Sequence, residues 1–275
     1  MENKEPAADT PTEIHKAEMK ITLVISTYNW PEALRLSLLS ARIQTRIPDE
    51  IIIADDGSGR ATEKLINSFK NRFPCPLIHA WQEDKGFRLA ESRNNALRMA
   101  TGDYVIFIDG DIIMERHFIA DHERMAEKGF FVMGSRSKLS MQTTERLLRR
   151  HRVDLHWYSK GVRRRYNTMY LPFLAFYTEK LYRNRRDKGR GANMAMFMSD
   201  LKAVNGFDSE MVGYGFEDTD LIGRLVNLGL KRKWAKFKAI EFHLHHEEKG
   251  FESQNKPLLK QNKERIKCKN GIEKI

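Results

Sequence analysis

Two aspartates, Asp109 and Asp111, close the stretch "DYVIFIDGD" directly after a run of β-branched and aromatic residues. Residues 104–108 read as a buried strand, short, apolar and rich in Val, Ile and Phe. Burying a carboxylate is costly unless it is paired or holds a metal, so the end of this strand must have a use for negative charge. Side chains two apart on a strand share a side, which predicts that Asp109 and Asp111 converge, with Gly110 between them admitting a close ligand. Hard cations such as Mg²⁺ take oxygen ligands, commonly a carboxylate or two plus substrate phosphates.

A second cluster, "GYGFEDTD", sets a turn at Gly213, Tyr214 and Gly215 ahead of Glu217 and Asp218 at a helix start. A single acid there would serve as a cap. Three acids in four positions after a Gly-x-Gly turn point instead to a site, and a helix N-terminus favours the negative charge that a general base needs. The third cluster, "HLHHE", carries His243, His245 and His246 after a predicted strand, "KAIEF". Imidazole is a common ligand for ions such as Mn²⁺ or Zn²⁺, so this run favours a metal or phosphate role.

Positioning these groups requires a scaffold, and its elements are readable. Residues 20–26 form a first strand, followed by a loop, "TYNW", and a helix from Pro31 to about residue 45. "DEIIIADDGS" is a second strand, residues 61–73 a helix, "CPLIHAW" a third strand, and "FRLAESRNNALRMATG" a helix stopped by Gly102. Strands alternating with helices predict an α/β fold with a mostly parallel central sheet and crossover helices. Ligands bind beyond the carboxyl ends of such strands, where "STYN", "DDGS" and "DGD" should meet at one rim. Residues 218–230 read as an amphipathic helix with Leu221, Ile222, Leu225 and Leu228 as its stripe and Gly229 as its stop. "KPLLKQNKERIKCKNG" reads as a basic C-terminal helix packing by Leu258, Leu259 and Ile266.

The chain has 275 residues, 41% hydrophobic and 31% charged, which suits a soluble globular protein. No stretch approaches the roughly 20 apolar residues of a bilayer span, and residues 1–18 read as a polar, disordered lead-in without a signal-peptide core. Cys75 and Cys268 suggest no disulfide framework, which fits a cytoplasmic protein, peripheral on the inner membrane face if it meets lipid. Net charge is +11, and residues 136–190 hold 16 Lys/Arg against 4 Asp/Glu, a net +12, so the basic character belongs to that segment alone. Trp157, Tyr158, Tyr166, Tyr170, Phe173, Phe176, Tyr177 and Tyr182 interleave with its arginines. Such a surface meets anionic lipid, an acidic glycan or nucleic acid, or is simply a solvated face over ordinary core aromatics.

Taken together, "VISTYNWPEALRLSLLSARIQTRIPDEIIIADDGS", "ESRNNALRMATGDYVIFIDGD" and "GYGFEDTDLIGRL" resemble family-two glycosyltransferases of the GT-A fold. The C-terminal part is similar to β-1,4-galactosyltransferases and bacterial chondroitin polymerases, with Tyr214 where those relatives have Trp. The resemblance covers residues 21–246 and implies a nucleotide-sugar donor, usually a UDP-sugar, with inversion at the anomeric carbon. It implies that Thr27, Tyr28, Asn29 and Asp56 hold the uridine, and that Arg88, Arg93 and Asn94 lie near the nucleotide and diphosphate. It assigns Asp109 toward the ribose and the metal, Asp111 and His246 with His243 to a divalent Mn²⁺ or Mg²⁺, Asp218 as base with Glu217 beside it, and residues 213–215 to the acceptor.

The expected organisation is a GT-A domain over 19–250, with a nucleotide-sugar half (19–135), a basic aromatic insertion (136–190) and an acceptor and catalytic half (191–250), then a basic helix (251–275). The expected reaction is metal-dependent, inverting transfer to a glycan or glycolipid hydroxyl, as in lipopolysaccharide or capsule synthesis. Its partners are the donor, the acceptor and an anionic membrane surface, with no nucleic acid. A nucleotidyltransferase would use a similar rim but needs a Gly-rich triphosphate loop, which "STYNWPEA" is not. A nucleic-acid-binding module built on the basic segment would leave the acid clusters without purpose.

Overall fold

The computed structural model describes residues 19–175, 177, 191–247 and 253–274. β1 (Ile21–Thr27), β2 (Glu50–Asp55), β3 (Leu77–Trp81) and β4 (Tyr104–Asp109) alternate with α1 (Pro31–Arg42), α2 (Arg60–Phe69) and α3 (Leu89–Met99). After them come β5 (Ile112–Met114), α4 (Phe118–Met125), β6 (Phe130–Gly134), β7 (Arg136–Lys138) and α5 (Met141–Arg150). The C-terminal part supplies β8 (Met194–Phe197), α6 (Met198–Ala203), α7 (Glu217–Asn227), β9 (Lys231–Ala235), β10 (Glu241–His243) and α8 (Lys256–Gln261).

Seven strands form one sheet in the order β3-β2-β1-β4-β8-β6-β9. The pairs among β1 to β4 and between β6 and β9 are parallel, and β8 alone runs against its neighbours. β8 lies between β4 and β6, so the N-terminal and C-terminal parts share this sheet. Every residue of β1 and β2 is buried, because helices cover both faces. Alternate side chains serve opposite cores. Leu23, Ile25, Ile51 and Ile53 pack with Leu34, Leu38, Ile66 and Phe69 of α1 and α2. Val24, Ile52 and Ala54 pack with Ala96, Leu97, Leu221 and Leu225 of α3 and α7. Each fully buried Leu or Ile contributes about 1.5–3 kcal/mol.

A small second sheet, β5-β10-β7, stands beside the large one. Its far face joins a third core with Leu139, Leu147, Leu155, Val162, Phe242 and Leu244. Gly110 is the joint between the sheets. Its N–H donates to the Ser26 carbonyl at 2.6 Å, and a Cβ there would lie 2.8 Å from that oxygen. Strand β1 itself, rather than a ligand, is what demands glycine.

Two local expectations fail. Gly102 does not stop α3, which is capped at Ala100; it is small because a Cβ would lie 2.4 Å from Thr22 Oγ1. The C-terminal basic helix spans only Lys256–Gln261, and Ile266 is exposed. Asn262 is drawn inward, its amide donating to Asp208 at 2.9 Å and Asp220 at 3.0 Å. Asn205 donates to the carbonyls of Cys268 and Glu273, and Ile272 packs on the second core. These anchors hold the tail as a strap and outweigh the helical ladder that an exposed basic segment could form. The lead-in 1–18, together with Phe176, Tyr182 and the rest of 178–190, lies outside the described residues. No helix among the described residues is long and apolar enough to cross a membrane.

Candidate active site

The three polar strand ends meet. Register pairs Thr27 with Asp55 and Ser26 with Asp109, so "STYN", "DDGS" and "DGD" share one rim. Asn29 takes a left-handed φ of 46°, its N–H donating to Ser58 Oγ at 2.8 Å while its Oδ1 accepts from Gly59 N–H at 2.9 Å. That exchange locks the first two loops together. Asp56 is buried and accepts from Gln82 Nε2 at 2.6 Å and the Arg88 N–H at 2.7 Å. Burial pushes its carboxyl above the usual range, partly offset by those donors. The exposed ring of Tyr28 reaches over this pocket and donates its hydroxyl to Asp84 at 2.9 Å. Thr27 is buried beside it, and Arg88 turns its guanidinium to the Glu83 carbonyl at 2.5 Å.

Arg93 and Asn94, neighbours on α3, do different work. The fully buried Asn94 donates to the Phe207 carbonyl at 2.8 Å and accepts from the Phe207 N–H at 2.9 Å. It pins the 206–209 turn, so its amide is already engaged within the chain. Arg93 is buried at the centre of the acids. Its Nη1 donates to Asp218 Oδ1 at 2.6 Å and lies 3.8 Å from Glu217 Oε1, while Nη2 lies 3.3 Å from Asp109 Oδ1. Its Nε donates to Ser26 Oγ at 3.1 Å, and the guanidinium sits 5.1 Å from the Phe207 ring centroid. One arginine therefore joins the end of β4 to the start of α7.

Around Gly110 the two aspartates take different partners, although Asp109 still acts on the Asp111 carboxyl. Asp109 stays with Arg93 and with Arg136, whose Nη1 is 3.7 Å away. Asp111 crosses to the small sheet, where its Oδ2 lies 3.3 Å from His243 Nε2 and 3.4 Å from His246 Nε2. Asp111, His243 and His246 each present a ligand atom within 4.8 Å of the others, a group that leaves out Asp109. Asp109 instead faces Arg93 and Arg136, and the chain turns at Gly110, whose N–H donates to the Ser26 carbonyl of β1. His245 uses its N–H on Thr144 Oγ1 at 2.8 Å.

This group fits a divalent cation. Asp111 Oδ1 is buried with no hydrogen-bond partner among the described residues, and the His243 and His246 Nε2 atoms face the same carboxylate. Burial, with Asp109 adding to it, pushes the Asp111 carboxyl up to about 7, and burial holds the His243 imidazole down to about 3. One carboxylate and two imidazoles form a donor set suited to manganese-type ions.

Opposite the metal group, α7 presents the acids. Gly213 and Gly215 adopt φ of +83° and +92°, and the Gly213 N–H donates to the Phe87 carbonyl at 2.8 Å. Tyr214 is exposed, its ring edge-on to Phe87 at 6.2 Å between centroids. Asp218 Oδ2 accepts from the Gly191 N–H at 2.6 Å, and a Cβ at Gly191 would collide with that carboxylate. Glu217 is buried, and burial followed by the neighbouring Asp218 pushes its carboxyl up to about 7.

Sequence reasoning passed over Arg136, Gly191 and Glu241. Glu241 is wholly buried, neither of its oxygens has a hydrogen-bond partner among the described residues, and burial raises its carboxyl well above normal despite Arg136. Register pairs Glu241 with Arg136 and His243 with Lys138. The signal was present in "EFH", since residue 241 shares a strand face with 243.

A parallel rim holding base-like acids, with a carboxylate–imidazole group beside it, defines a GT-A glycosyltransferase architecture. The chain belongs to glycosyl transferase family 2, whose model matches residues 22–200, and a galactosyltransferase N-terminal domain model matches residues 172–247. That membership displaces the nucleotidyltransferase alternative. Validoxylamine A glucosyltransferase of Streptomyces hygroscopicus subsp. limoneus is 26% identical over 231 residues, covering 74% of this chain and 47% of that protein. Chondroitin synthase of Escherichia coli is 34% identical over 93 residues, covering 34% of this chain and 13% of that protein. The chain thus spans about half or less of these curated relatives. Mannosyltransferase PcManGT from Pyrobaculum calidifontis, solved with GDP-Man and Mn²⁺, superposes with a TM-score of 0.58 at 18% identity, covering 82% of this chain and 56% of that one. S. aureus TarS 1-349 with UDP gives a TM-score of 0.56 at 16% identity, covering 82% and 61%.

Proposed function

We propose that this protein transfers a hexose or N-acetylhexosamine, with inversion, from a UDP-sugar to a hydroxyl of a glycan or glycolipid, as in lipopolysaccharide or capsule assembly. The observation that carries the reading is the meeting of Asp218, Arg93 and Asp109 beside the Asp111, His243 and His246 group. Asp56, with Thr27, Tyr28 and Asn29, receives the nucleoside, and Arg88 borders the same pocket. Asp111, His243 and His246 would hold Mn²⁺ or Mg²⁺, which when bound supplies charge neutralisation for a diphosphate leaving group. The GDP-Man with Mn²⁺ and the UDP named for the two structural neighbours support a nucleotide-sugar donor.

Asp218 takes the proton of the acceptor hydroxyl as that oxygen attacks the anomeric carbon. A placed base of this kind contributes about 10²–10⁴-fold. Arg93 holds the carboxylate at the correct angle, and Glu217 beside it orients a sugar hydroxyl. Gly213, Tyr214 and Gly215 offer an exposed aromatic platform for the acceptor.

A donor panel of UDP-, GDP- and dTDP-sugars, each with and without Mn²⁺, tests the reading. The expected result is metal-dependent UDP release from one donor, with Asp218→Asn losing transfer while still binding UDP. Release without metal, or full transfer by Asp218→Asn, contradicts it.

A further inference from the structure

Residues 149–166 build a surface that the chemistry of transfer does not use. Leu147, Leu155 and Val162 turn inward to the third core with Leu139, Phe242 and Leu244. The Ser140 N–H donates to the Gly161 carbonyl at 2.8 Å, and Thr143 Oγ1 donates to the Lys160 carbonyl at 3.0 Å, folding the loop back along α5. With its apolar side anchored, the loop presents Arg149, Arg150, Arg152, Lys160, Arg163, Arg164 and Arg165 outward, all exposed. Against these cations stands one exposed acid, Asp154, which lies 3.3 Å from His156. Trp157, Tyr158 and Tyr166 are 44%, 59% and 56% exposed among them.

Exposed tryptophan and tyrosine beside clustered arginine is an unfavourable way to meet bulk water. It suits a boundary that is anionic on one side and apolar just beneath. We propose that this face docks on an anionic lipid surface, with the arginines at the phosphate level and Trp157 and Tyr158 inserted among the headgroups.

The placement has a consequence for the site. The Arg163 N–H donates to the Lys138 carbonyl at 2.9 Å, and Lys138 is in register with His243. Lys138 and Arg163 line, with residues 243–247, a cavity of about 270 Å³ that opens beside the metal group. Docking through residues 149–166 therefore brings the mouth of the site to headgroup height, where a lipid-linked acceptor would present its sugar. That consequence rests on the glycosyl-transfer reading, whereas the docking does not.

The test is flotation of the full chain with phosphatidylcholine vesicles, with and without phosphatidylglycerol, in the absence of donor. Binding should require phosphatidylglycerol, weaken with salt, and shift tryptophan emission to the blue. A basic side chain near such a surface is worth roughly a fivefold factor, so the Arg149→Gln, Arg150→Gln, Arg152→Gln variant should bind about a hundredfold more weakly. Trp157→Ala should lose the emission shift while keeping its thermal unfolding midpoint. Both variants should release UDP in solution like the parent. Equal binding to neutral vesicles, undiminished binding by both variants, or preference for single-stranded RNA over the anionic vesicles would overturn the proposal. Loss of docking with intact donor chemistry would leave the transferase reading standing.

Discussion

The acids of the site divide into two neighbourhoods that differ in how completely the protein satisfies them. On the α7 side Arg93 spans Asp109 and Asp218 and Gly191 donates a second hydrogen bond, which leaves Glu217 Oε2 as the buried oxygen without a partner among the described residues there. On the small-sheet side Asp111 Oδ1 and both oxygens of Glu241 are buried without one among the described residues. Burying polar groups unpaired costs free energy, so a fold keeps them where something from outside completes the set. On the proposed reading the first neighbourhood positions the base and the second would hold the ion.

Several substitutions break or sharpen that contrast, beginning with the largest effect. Removing the base by Asp218→Asn should lower turnover by about 10²–10⁴-fold in a coupled UDP-release assay, with little change in UDP affinity. Arg93→Ala leaves three carboxylates without their shared cation, and breaking a buried pair in this way costs about 3–5 kcal/mol, read as a lowered urea midpoint. Glu217→Gln should act in the opposite direction and depend on pH. The Glu217 carboxyl sits at about 7 when folded, above its ordinary value, so the folded state holds its proton longer than the unfolded chain. Its contribution is fully present at low pH and is lost as pH rises through that value. The variant should therefore match the parent near pH 4 and exceed it by on the order of a few kcal/mol near pH 8, measured by thermal or urea unfolding. Asn94→Ala is the smallest, about 1–3 kcal/mol of stability from unpaired backbone groups at Phe207, with UDP binding unchanged. Weakened UDP binding in that variant would return Asn94 to the nucleotide pocket.

Much of this arrangement was legible in the sequence. Continuous apolar strands alternating with amphipathic helices gave the parallel sheet, and three polar strand ends gave its rim. The Gly-x-Gly turn before Glu217 and Asp218 marked the start of α7, and "HLHHE" marked the histidines of which His243 and His246 face Asp111. What escaped detection depends on contacts distant in sequence. Strand periodicity alone gave Asp109 and Asp111 one set of partners; the turn at Gly110, whose N–H bonds to Ser26 84 residues earlier, gives each its own. The family resemblance put Arg93 and Asn94 in one region, yet adjacent positions on a helix point in different directions. The C-terminal strap was read as a helix because the pull of Asn205 and Asp208 on it is invisible to local propensity.

The division between the two aspartates is the claim on which the rest depends. Manganese binding to Asp109→Asn and to Asp111→Asn, followed by electron paramagnetic resonance of the free ion, tests it most directly. The account predicts that Asp109→Asn binds manganese much as the parent does and that Asp111→Asn binds none detectably. Equal loss in the two variants, or retention in Asp111→Asn, would contradict it.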